Sequence, residues 1–248
     1  LGVEFAQALA SRGANLVLVA RRQDRLRAVA SEIKKQFGVS VTVISRDLSA
    51  PRAGAVLLSD IARRGIQLDV VVNNAGFGTY GPLQGEDPDR IADEVALNVG
   101  AVVDISRAAL PGMLARNIGA IINVASTAAF QPLSNFATYA ATKAFVLSFT
   151  EALWGETEHT GVRVLALCPG ATATEFFEVA GSDAITGPLA PASDVIAAAL
   201  RGLDRRQPSV IHGSGNRFAP FAMRFFSRKF VIRLARRVMS RNRPNSAG

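Results

Sequence analysis

A tyrosine and a lysine four residues apart give the first indication of chemistry. Tyr139 and Lys143 lie in the sequence YAATK, and Ser126 precedes the tyrosine by thirteen residues, at the end of an apolar run. Residues at positions i and i+4 share one face of a helix, so both side chains can reach one crevice. A nearby ammonium favours the phenolate and lowers the pKa of a tyrosine, which is ordinarily about 10. The spacing therefore predicts that Tyr139 is a general acid/base near neutral pH.

The elements that must position this pair alternate between strands and helices. Strands are expected near residues 15–20, 41–45, 69–73, 119–125, 162–168 and 208–211. Helices are expected near residues 22–37, 51–65, 89–115, 136–160 and 192–203, after a first helix in LGVEFAQALASRG that is capped by Gly13. The strands are rich in Val and Ile and apolar on both faces, which is typical of a parallel sheet covered by helices. The alternation predicts a Rossmann-type, doubly wound parallel sheet in three α/β/α layers.

Further polar and glycine motifs follow the predicted strands, where such a sheet binds its ligands. An isolated YxxxK pair is more typical of a half-buried helix aromatic and a solvated lysine, so these neighbouring motifs carry weight. NNAG at 73–76 follows the third strand, and its glycine lets backbone approach a ligand closely. Asn98 lies in NVG inside a long helix, where Asn and Gly are unfavourable, which predicts a bend there.

Together these motifs resemble the short-chain dehydrogenase/reductase family. The matching stretches, in chain order, are NNAG, Asn98 of LNVG, Ser126 of INVAS, YAATK and PGATAT. The resemblance covers about residues 1–212 and implies an NADP(H)-dependent oxidoreductase that interconverts a carbonyl and an alcohol by hydride transfer. The alternative from another class is a non-catalytic dinucleotide-binding sensor or scaffold, which would have no need of a tyrosine and a lysine at this spacing.

The resemblance also implies a role for each of four polar residues. Tyr139 exchanges a proton with the substrate oxygen, and Ser126 hydrogen-bonds that oxygen and stabilises its developing charge. Lys143 lowers the pKa of Tyr139 and holds the nicotinamide ribose. Asn98 holds a water that links Lys143 to solvent.

The end of the first predicted strand indicates which nicotinamide cofactor is used. An NAD site usually has an acidic residue there, but Ala20 occupies that position and is followed by Arg21 and Arg22. Guanidinium groups suit bidentate contact with a phosphate, which predicts NADP(H), although the two arginines could also only cap a strand end in water. The resemblance places these further residues at the cofactor, with Tyr139 and Lys143: Gly2, Asp47, Leu48, Asn74, Ala75, Gly76, Pro169, Gly170, Thr172 and Thr174.

Leu1 and Gly2 match the end of the family's TGxxxGxG loop, which joins a first strand to the first helix. The resemblance therefore implies that the first strand, central in the sheet, and most of the pyrophosphate-binding turn are missing. We expect an N-terminally truncated sequence that, taken alone, is unstable and binds NADP(H) poorly, because the neighbours of the missing strand lose their pairing.

The net charge of +8 is concentrated at the end of the chain, since residues 205–248 contain 11 Lys and Arg residues and no acidic residue. We expect a catalytic domain over residues 1–212 and a basic amphipathic tail over 213–248. Phe230, Val231, Leu234, Ala235 and Val238 fall on one arc of a tail helix, opposite Lys229, Arg233, Arg236 and Arg237. Such a helix can lie on an anionic membrane surface, or cover apolar surface of the domain or of another subunit.

Composition bounds the remaining expectations. The single cysteine, Cys168, precludes an intrachain disulfide, and we expect a cytoplasmic protein, with membrane association through the tail left open. No spacing typical of a metal site and no nucleic-acid-binding motif is present, so neither partner is expected.

The family resemblance implies a homodimer or homotetramer. Residues 172–191 are expected to form a substrate lid, and 3-oxoacyl thioesters, hydrophobic ketones and small carbonyls all remain open as substrates.

Overall fold

A computed structural model describes residues 1–174, 176, 189–213 and 225–240. Strands β1 to β6 are Leu16–Ala20, Val41–Ser45, Val70–Asn73, Gly119–Val124, Val162–Cys168 and Ser209–Ile211. Helices α1 to α8 are Gly2–Ala10, Gln23–Phe37, Ala53–Arg63, Pro88–Val95, Val102–Arg116, Ala137–Thr157, Ala192–Asp204 and Arg228–Ser240. All strand pairs in the described residues are parallel and helices connect them, which confirms the predicted Rossmann-type α/β fold.

The sheet has a buried centre in strands β4 and β5. All six residues of β4 are buried, and β5 is buried except for Arg163, so the Val- and Ile-rich runs are covered on both faces as predicted. Helix α6 packs against β5 on one side, and apolar residues of α1 and α7 pack against the other face of the sheet. These layers hold the carboxyl ends of β4 and β5 rigidly, and the candidate catalytic residues follow those ends.

The described strands form two separate hydrogen-bonded groups. Strand β1 pairs only with β2, whereas β3, β4, β5 and β6 form a second group in that order. A cavity of about 1800 Å³ is lined by every residue of β1 and of β3. Residues Val17, Leu18 and Val19 are consequently only half-buried, and Val70 is 37% exposed, contrary to the expectation that every strand is covered on both faces. The expected first strand stays a prediction.

The helix expected over residues 89–115 is interrupted at the predicted bend. A π-helix, Ala96–Ala101, joins α4 to α5 and has Asn98 near its middle. Helix α4 begins at Pro88 after Asp87, whose side chain caps it by accepting from the Asp89 N–H at 3.0 Å. Short π segments inside helices often occur at functional sites, because the extra residue re-aims nearby side chains.

The first helix ends earlier than expected. Helix α1 ends at Ala10 and is capped by Ser11, whereas Gly13 has a φ of 83° in the following turn and donates to the Ala10 carbonyl at 2.9 Å. Gly13 therefore serves the turn into β1 instead of the helix C-cap, since a left-handed φ suits glycine. None of the helices within the described residues is long and apolar enough to cross a bilayer.

Candidate active site

Three elements bring Ser126, Tyr139, Lys143 and Asn98 together. Ser126 follows the end of β4 and caps a short 3₁₀ turn, its Oγ accepting from the Ala128 N–H at 3.1 Å. Tyr139 and Lys143 lie one turn apart on α6, and both side chains are buried. Ser126, Tyr139 and Lys143 all line the large cavity, whereas Asn98 lies behind it. The structure thus assembles the predicted group from β4, α6 and the π-helix.

Asn98 fastens the loop after β3 to the π-helix. Its Nδ2 donates to the Phe77 carbonyl at 2.8 Å and to Thr142 Oγ1 at 3.1 Å, and its Oδ1 accepts from the Phe77 N–H at 3.1 Å. The side chain is fully buried, so these bonds satisfy its amide. Asn98 therefore fixes the position of the NNAG segment relative to α6. The water relay expected at Asn98 stays a prediction.

Gly76 is required where these elements meet. A Cβ at this position would lie 2.7 Å from Asn98 Oδ1 and 3.3 Å from Lys143 Nζ. Gly2 is similarly close to Asn74, whose Nδ2 would be 2.9 Å from an added Cβ. Glycine at both places lets the backbone pack closely against these side chains at the wall of the cavity, which both residues line.

Burial governs the ionisation of Lys143. It lowers the pKa of the ammonium to about 8, and the Glu94 charge acts in the opposite direction. Lys143 Nζ donates to the Val124 carbonyl at 2.8 Å and lies 5.7 Å from the centre of the Tyr139 ring. The side chain is thus placed to exchange a proton near neutral pH.

The pKa of Tyr139 differs from the expectation. Burial raises it to about 12, while hydrogen bonding with Ser126 lowers it and the Glu94 charge raises it. The ring stacks on Phe136 at 4.5 Å and touches Phe176 at 5.2 Å, so its surroundings are apolar. Burial is the largest effect on the pKa of Tyr139 here, and the lowering of that pKa by Lys143 stays a prediction. Tyr139 therefore keeps its proton at neutral pH, as a general acid must.

Glu94 is a residue near this site that the sequence analysis missed. It lies one helical turn before Asn98 and is fully buried. Neither carboxyl oxygen of Glu94 makes a hydrogen bond of good geometry within the described residues. The nearby hydroxyl and N–H of Thr79 still lower its pKa, because they favour the charged carboxylate. Burial is stronger and raises its pKa. The spacing of four residues from Asn98 was the available indication, but acidic residues on helices usually face solvent.

A buried polar network supports the site from below. Asn73 and Asn123 are register partners at the ends of β3 and β4, and Asn73 Nδ2 donates to Asn123 Oδ1 at 2.8 Å. Asn73 also donates to Ser106 Oγ at 3.2 Å, and Asn123 donates to Thr150 Oγ1 at 3.0 Å. These bonds tie both strands to α5 and α6. An asparagine at the end of each of two buried strands was the indication in the sequence.

Most of the predicted cofactor residues share the cavity with the catalytic group. Those that line it are Gly2, Arg22, Leu48, Asn74, Ala75, Gly76, Tyr139, Lys143, Pro169, Gly170, Thr172 and Thr174. Arg21 and Asp47 are exposed and do not line the cavity. Asp47 instead accepts from the Ser49 N–H at 2.9 Å and from its hydroxyl at 2.8 Å, and these bonds lower its pKa.

Arg25 is a second residue that the sequence analysis missed. It lies in the first turn of α2, three residues after Arg22, and both residues line the cavity. The bare backbone at Gly2 and Gly76 and this pair of arginines give the cavity the features of a dinucleotide site with a phosphate-binding end. The residues present therefore fit a nicotinamide dinucleotide.

Part of the predicted lid lies outside the described residues, namely residues 175 and 177–188. Of its ends, Thr172 forms a parallel bridge with Ala190, and its Oγ1 donates to the Gly170 carbonyl at 2.9 Å. Phe176 packs against the cluster that contains Tyr139. Within the described part of the chain, no group of three His, Cys, Asp or Glu residues could hold a metal ion.

Comparison with known proteins agrees with this geometry. The short chain dehydrogenase family model matches residues 1–184. The chain belongs to the short-chain dehydrogenase family. It is 32% identical over 183 residues to a very-long-chain 3-oxoacyl-CoA reductase from Rattus norvegicus, and the match covers 72% of this chain and 58% of that relative.

Two solved structures of the family extend the comparison. A 7β-hydroxysteroid dehydrogenase matches with a TM-score of 0.83 at 27% identity, over 94% of this chain and 90% of the other. A short-chain dehydrogenase from Sphingobium yanoikuyae, solved with NADPH, matches with a TM-score of 0.80 at 29% identity, over 100% and 93% of the two chains. The chain thus has the NAD(P)-binding Rossmann fold of this oxidoreductase family.

Proposed function

We propose that this chain is an NADP(H)-dependent oxidoreductase that interconverts an apolar ketone or 3-oxoacyl thioester with the corresponding alcohol. The observation that carries the proposal is the placement of Tyr139, Ser126 and Lys143 together on the wall of a largely apolar cavity. A dinucleotide-binding scaffold has no need of a tyrosine, a serine and a lysine in this arrangement, so this observation favours an enzyme.

The residues of this chain would divide the reaction as follows. The bound cofactor supplies the hydride. Ser126 Oγ donates a hydrogen bond to the carbonyl oxygen and stabilises the negative charge that develops there. Tyr139 donates its phenolic proton to the same oxygen, forming the alcohol. Lys143, with its pKa lowered to about 8, can return a proton toward Tyr139 and hold the ribose of the cofactor.

The preference for NADP(H) over NAD(H) rests on charge at the start of α2. Arg22 and Arg25 line the cavity, and Ala20 stands where an NAD site usually has an acidic residue. A guanidinium pair favours the additional 2′-phosphate of NADP(H). The related structure from Sphingobium yanoikuyae contains NADPH, which supports the same preference.

The substrate class rests on the walls around Tyr139. Phe136 and Phe176 flank the phenol, and Leu133 lines the same cavity. Apolar rings favour a substrate with a hydrocarbon body. The names of the relatives, a very-long-chain 3-oxoacyl-CoA reductase and a 7β-hydroxysteroid dehydrogenase, describe substrates with the same character.

NADPH consumption tests the proposal. Purified chain is mixed with NADPH or NADH and a panel of steroid-like ketones, long-chain 3-oxoacyl thioesters and small ketones. With the cofactor in excess, which offsets the poor binding expected of this chain taken alone, we expect NADPH oxidation with at least one apolar substrate and slower oxidation of NADH. Replacement Arg22→Ala/Arg25→Ala should weaken NADPH binding at least about tenfold and leave NADH binding nearly unchanged, as expected for lost charge-assisted phosphate contacts. Tight NADPH binding without turnover across the panel would favour the scaffold.

Two further predictions remain part of the proposal. The homodimer or homotetramer is supported by Phe145 on α6, which is 43% exposed and stacks on Phe149. An exposed aromatic ring on a long helix is typical of a subunit interface. Light scattering of the purified chain measures the assembly.

The cytoplasmic localisation is likewise proposed, from the composition alone.

A further inference from the structure

We infer that α8 docks the protein onto an anionic membrane surface, with its apolar edge beside the opening of the large cavity. The helix is the part of the basic tail that the proposed reaction does not use. Its docking does not depend on that reaction, since it rests on the surface that α8 presents.

Helix α8 has one arc that packs inward. Val231 and Ala235 are buried, lie four residues apart, and line the cavity. Residues four apart share one face of a helix, so this face fixes the orientation of α8 on the domain. This orientation determines which of the other residues of α8 point away from the domain.

An apolar edge adjoins this buried face and stays open. Phe226, Phe230 and Leu234 line the cavity but are 54%, 48% and 45% exposed. The rings of Phe226 and Phe230 stack at 5.0 Å, which makes one continuous apolar ridge. Burial of such side chains is energetically favourable. The domain leaves much of that energy available to a further partner.

The opposite arc of α8 is basic. Lys229, Arg233, Arg236 and Arg237 are exposed on this arc, and the helix contains no acidic residue. Phe230 and Leu234 lie between this arc and the buried face. The apolar ridge and the basic side chains can therefore contact the same flat surface. A basic arc bordering an apolar ridge is the arrangement of helices that lie in a membrane interface.

Charge decides between the two occupants of this surface. A second copy of the chain placed symmetrically on α8 would bring the same basic arc against itself, and like charges repel. Anionic lipid headgroups are complementary to that arc, and each Lys or Arg near such a surface strengthens the attraction. We therefore assign the surface to an anionic bilayer.

Docking would also affect substrate access. The ridge of α8 lines the same cavity as Tyr139, so a substrate dissolved in the bilayer would enter without crossing water. This consequence rests on the proposed function. It identifies the substrate class as apolar carbonyl compounds that partition into membranes.

Vesicle flotation of the full chain tests the docking. Vesicles of phosphatidylcholine with and without phosphatidylglycerol are compared at low and high salt. We expect binding only with phosphatidylglycerol, and loss of binding at high salt. Arg233→Glu/Arg236→Glu and Phe230→Asp/Leu234→Asp should each reduce binding at least about tenfold. Matched controls are Arg12→Glu/Arg107→Glu and Leu83→Asp, which change exposed residues elsewhere and should bind like the wild type.

Three outcomes would overturn the inference: no binding to anionic vesicles, equal loss in the controls, or a change of oligomeric mass in the Phe230→Asp/Leu234→Asp protein. If that variant fails to fold, Arg233→Glu/Arg236→Glu decides, because both side chains are exposed. With vesicle-held substrate, the arginine variant should turn over more slowly, while a water-soluble ketone is reduced as by the wild type. Absence of wild-type turnover with both substrates would contradict the proposed function, whereas flotation would still report on docking.

Discussion

Tyr139 and Lys143 occupy the positions that their spacing in the sequence predicts, one helical turn apart on α6. Their ionisation could not be read from the spacing. It depends on burial in both cases: Phe136 and Phe176 pack around the phenol, and Lys143 is buried beside the end of β4. These contacts join residues far apart in the chain. Only the folded structure therefore shows that the pKa of Tyr139 is raised and that the pKa of Lys143 is lowered.

Lys143 should set the alkaline limit of reduction. Its pKa of about 8 means that the ammonium is lost as the pH rises through 8, whereas Tyr139 keeps its proton until about pH 12. We expect kcat/KM to fall about tenfold per pH unit above pH 8. The measurement is NADPH oxidation between pH 6 and 10, with Lys143→Met as the control that removes the transition. A flat profile to pH 10 would contradict this assignment.

Glu94 should influence both the pH profile and the stability. Its negative charge raises the pKa of Lys143, so Glu94→Gln should move the alkaline limb to lower pH. Because the folded-state pKa of Glu94 is raised, its contribution to stability is fully present at low pH and is lost as the pH rises through that pKa.

Thermal unfolding checks the second effect. Glu94→Gln should therefore increase the melting temperature at pH 8 and have a smaller effect at pH 5. Glu156→Gln, an exposed change on α6, is the matched control and should alter neither property. A Glu94→Gln protein that melts like the wild type at both pH values would argue against a strained buried carboxylate.

At the scale of elements, the Val- and Ile-rich runs predicted all six strands to within one residue at each end. Such runs are continuous and rich in β-branched residues, a pattern that does not depend on distant contacts. The π-helix was predicted only as a bend, because its form depends on the bonds between Asn98 and Phe77. A local pattern shows that a helix is disturbed there, but the tertiary contact determines how.

Gly76 and Gly100 provide a matched test of this junction. Gly76→Ala would place a Cβ 2.7 Å from Asn98 Oδ1, whereas a Cβ at Gly100 meets nothing within 4 Å. We expect Gly76→Ala to lower kcat/KM at least about tenfold and the free energy of unfolding by about 1–3 kcal/mol, as for other overpacked sites. Gly100→Ala should be neutral or stabilising. Denaturant unfolding and NADPH oxidation measure both, and equal behaviour of the two proteins would contradict the crowding at Gly76.

The whole molecule joins a buried four-stranded group to a two-stranded group across a large cavity. The sequence predicted strands of similar character throughout, since LVLVA and AIINVA are equally apolar. The family resemblance, not the composition of these runs, led us to expect strands that lose a pairing partner, and among the described strands β1 and β3 each pair on one side only. Pairing between strands is a property of the assembled sheet, and composition alone does not determine it.

Hydrogen exchange should reflect this division. Amides of β4 and β5 are paired inside a buried sheet and should exchange last, with β1 and β3 exchanging markedly faster. Mass spectrometry of peptides covering each strand measures the difference. Equal protection of β1 and β5 would show that the edge of β1 is paired in solution.

The central claim is that Tyr139 donates the proton in a nicotinamide-dependent carbonyl reduction. The most direct measurement is kcat/KM for NADPH-dependent reduction of an apolar ketone by the wild type and by Tyr139→Phe, with NADPH affinity measured alongside. The phenyl ring keeps the packing against Phe136 but has no proton to give. We predict a loss of about 100-fold or more in kcat/KM, in line with general acid catalysis, at nearly unchanged NADPH affinity. Equal activity of the two proteins would contradict the account.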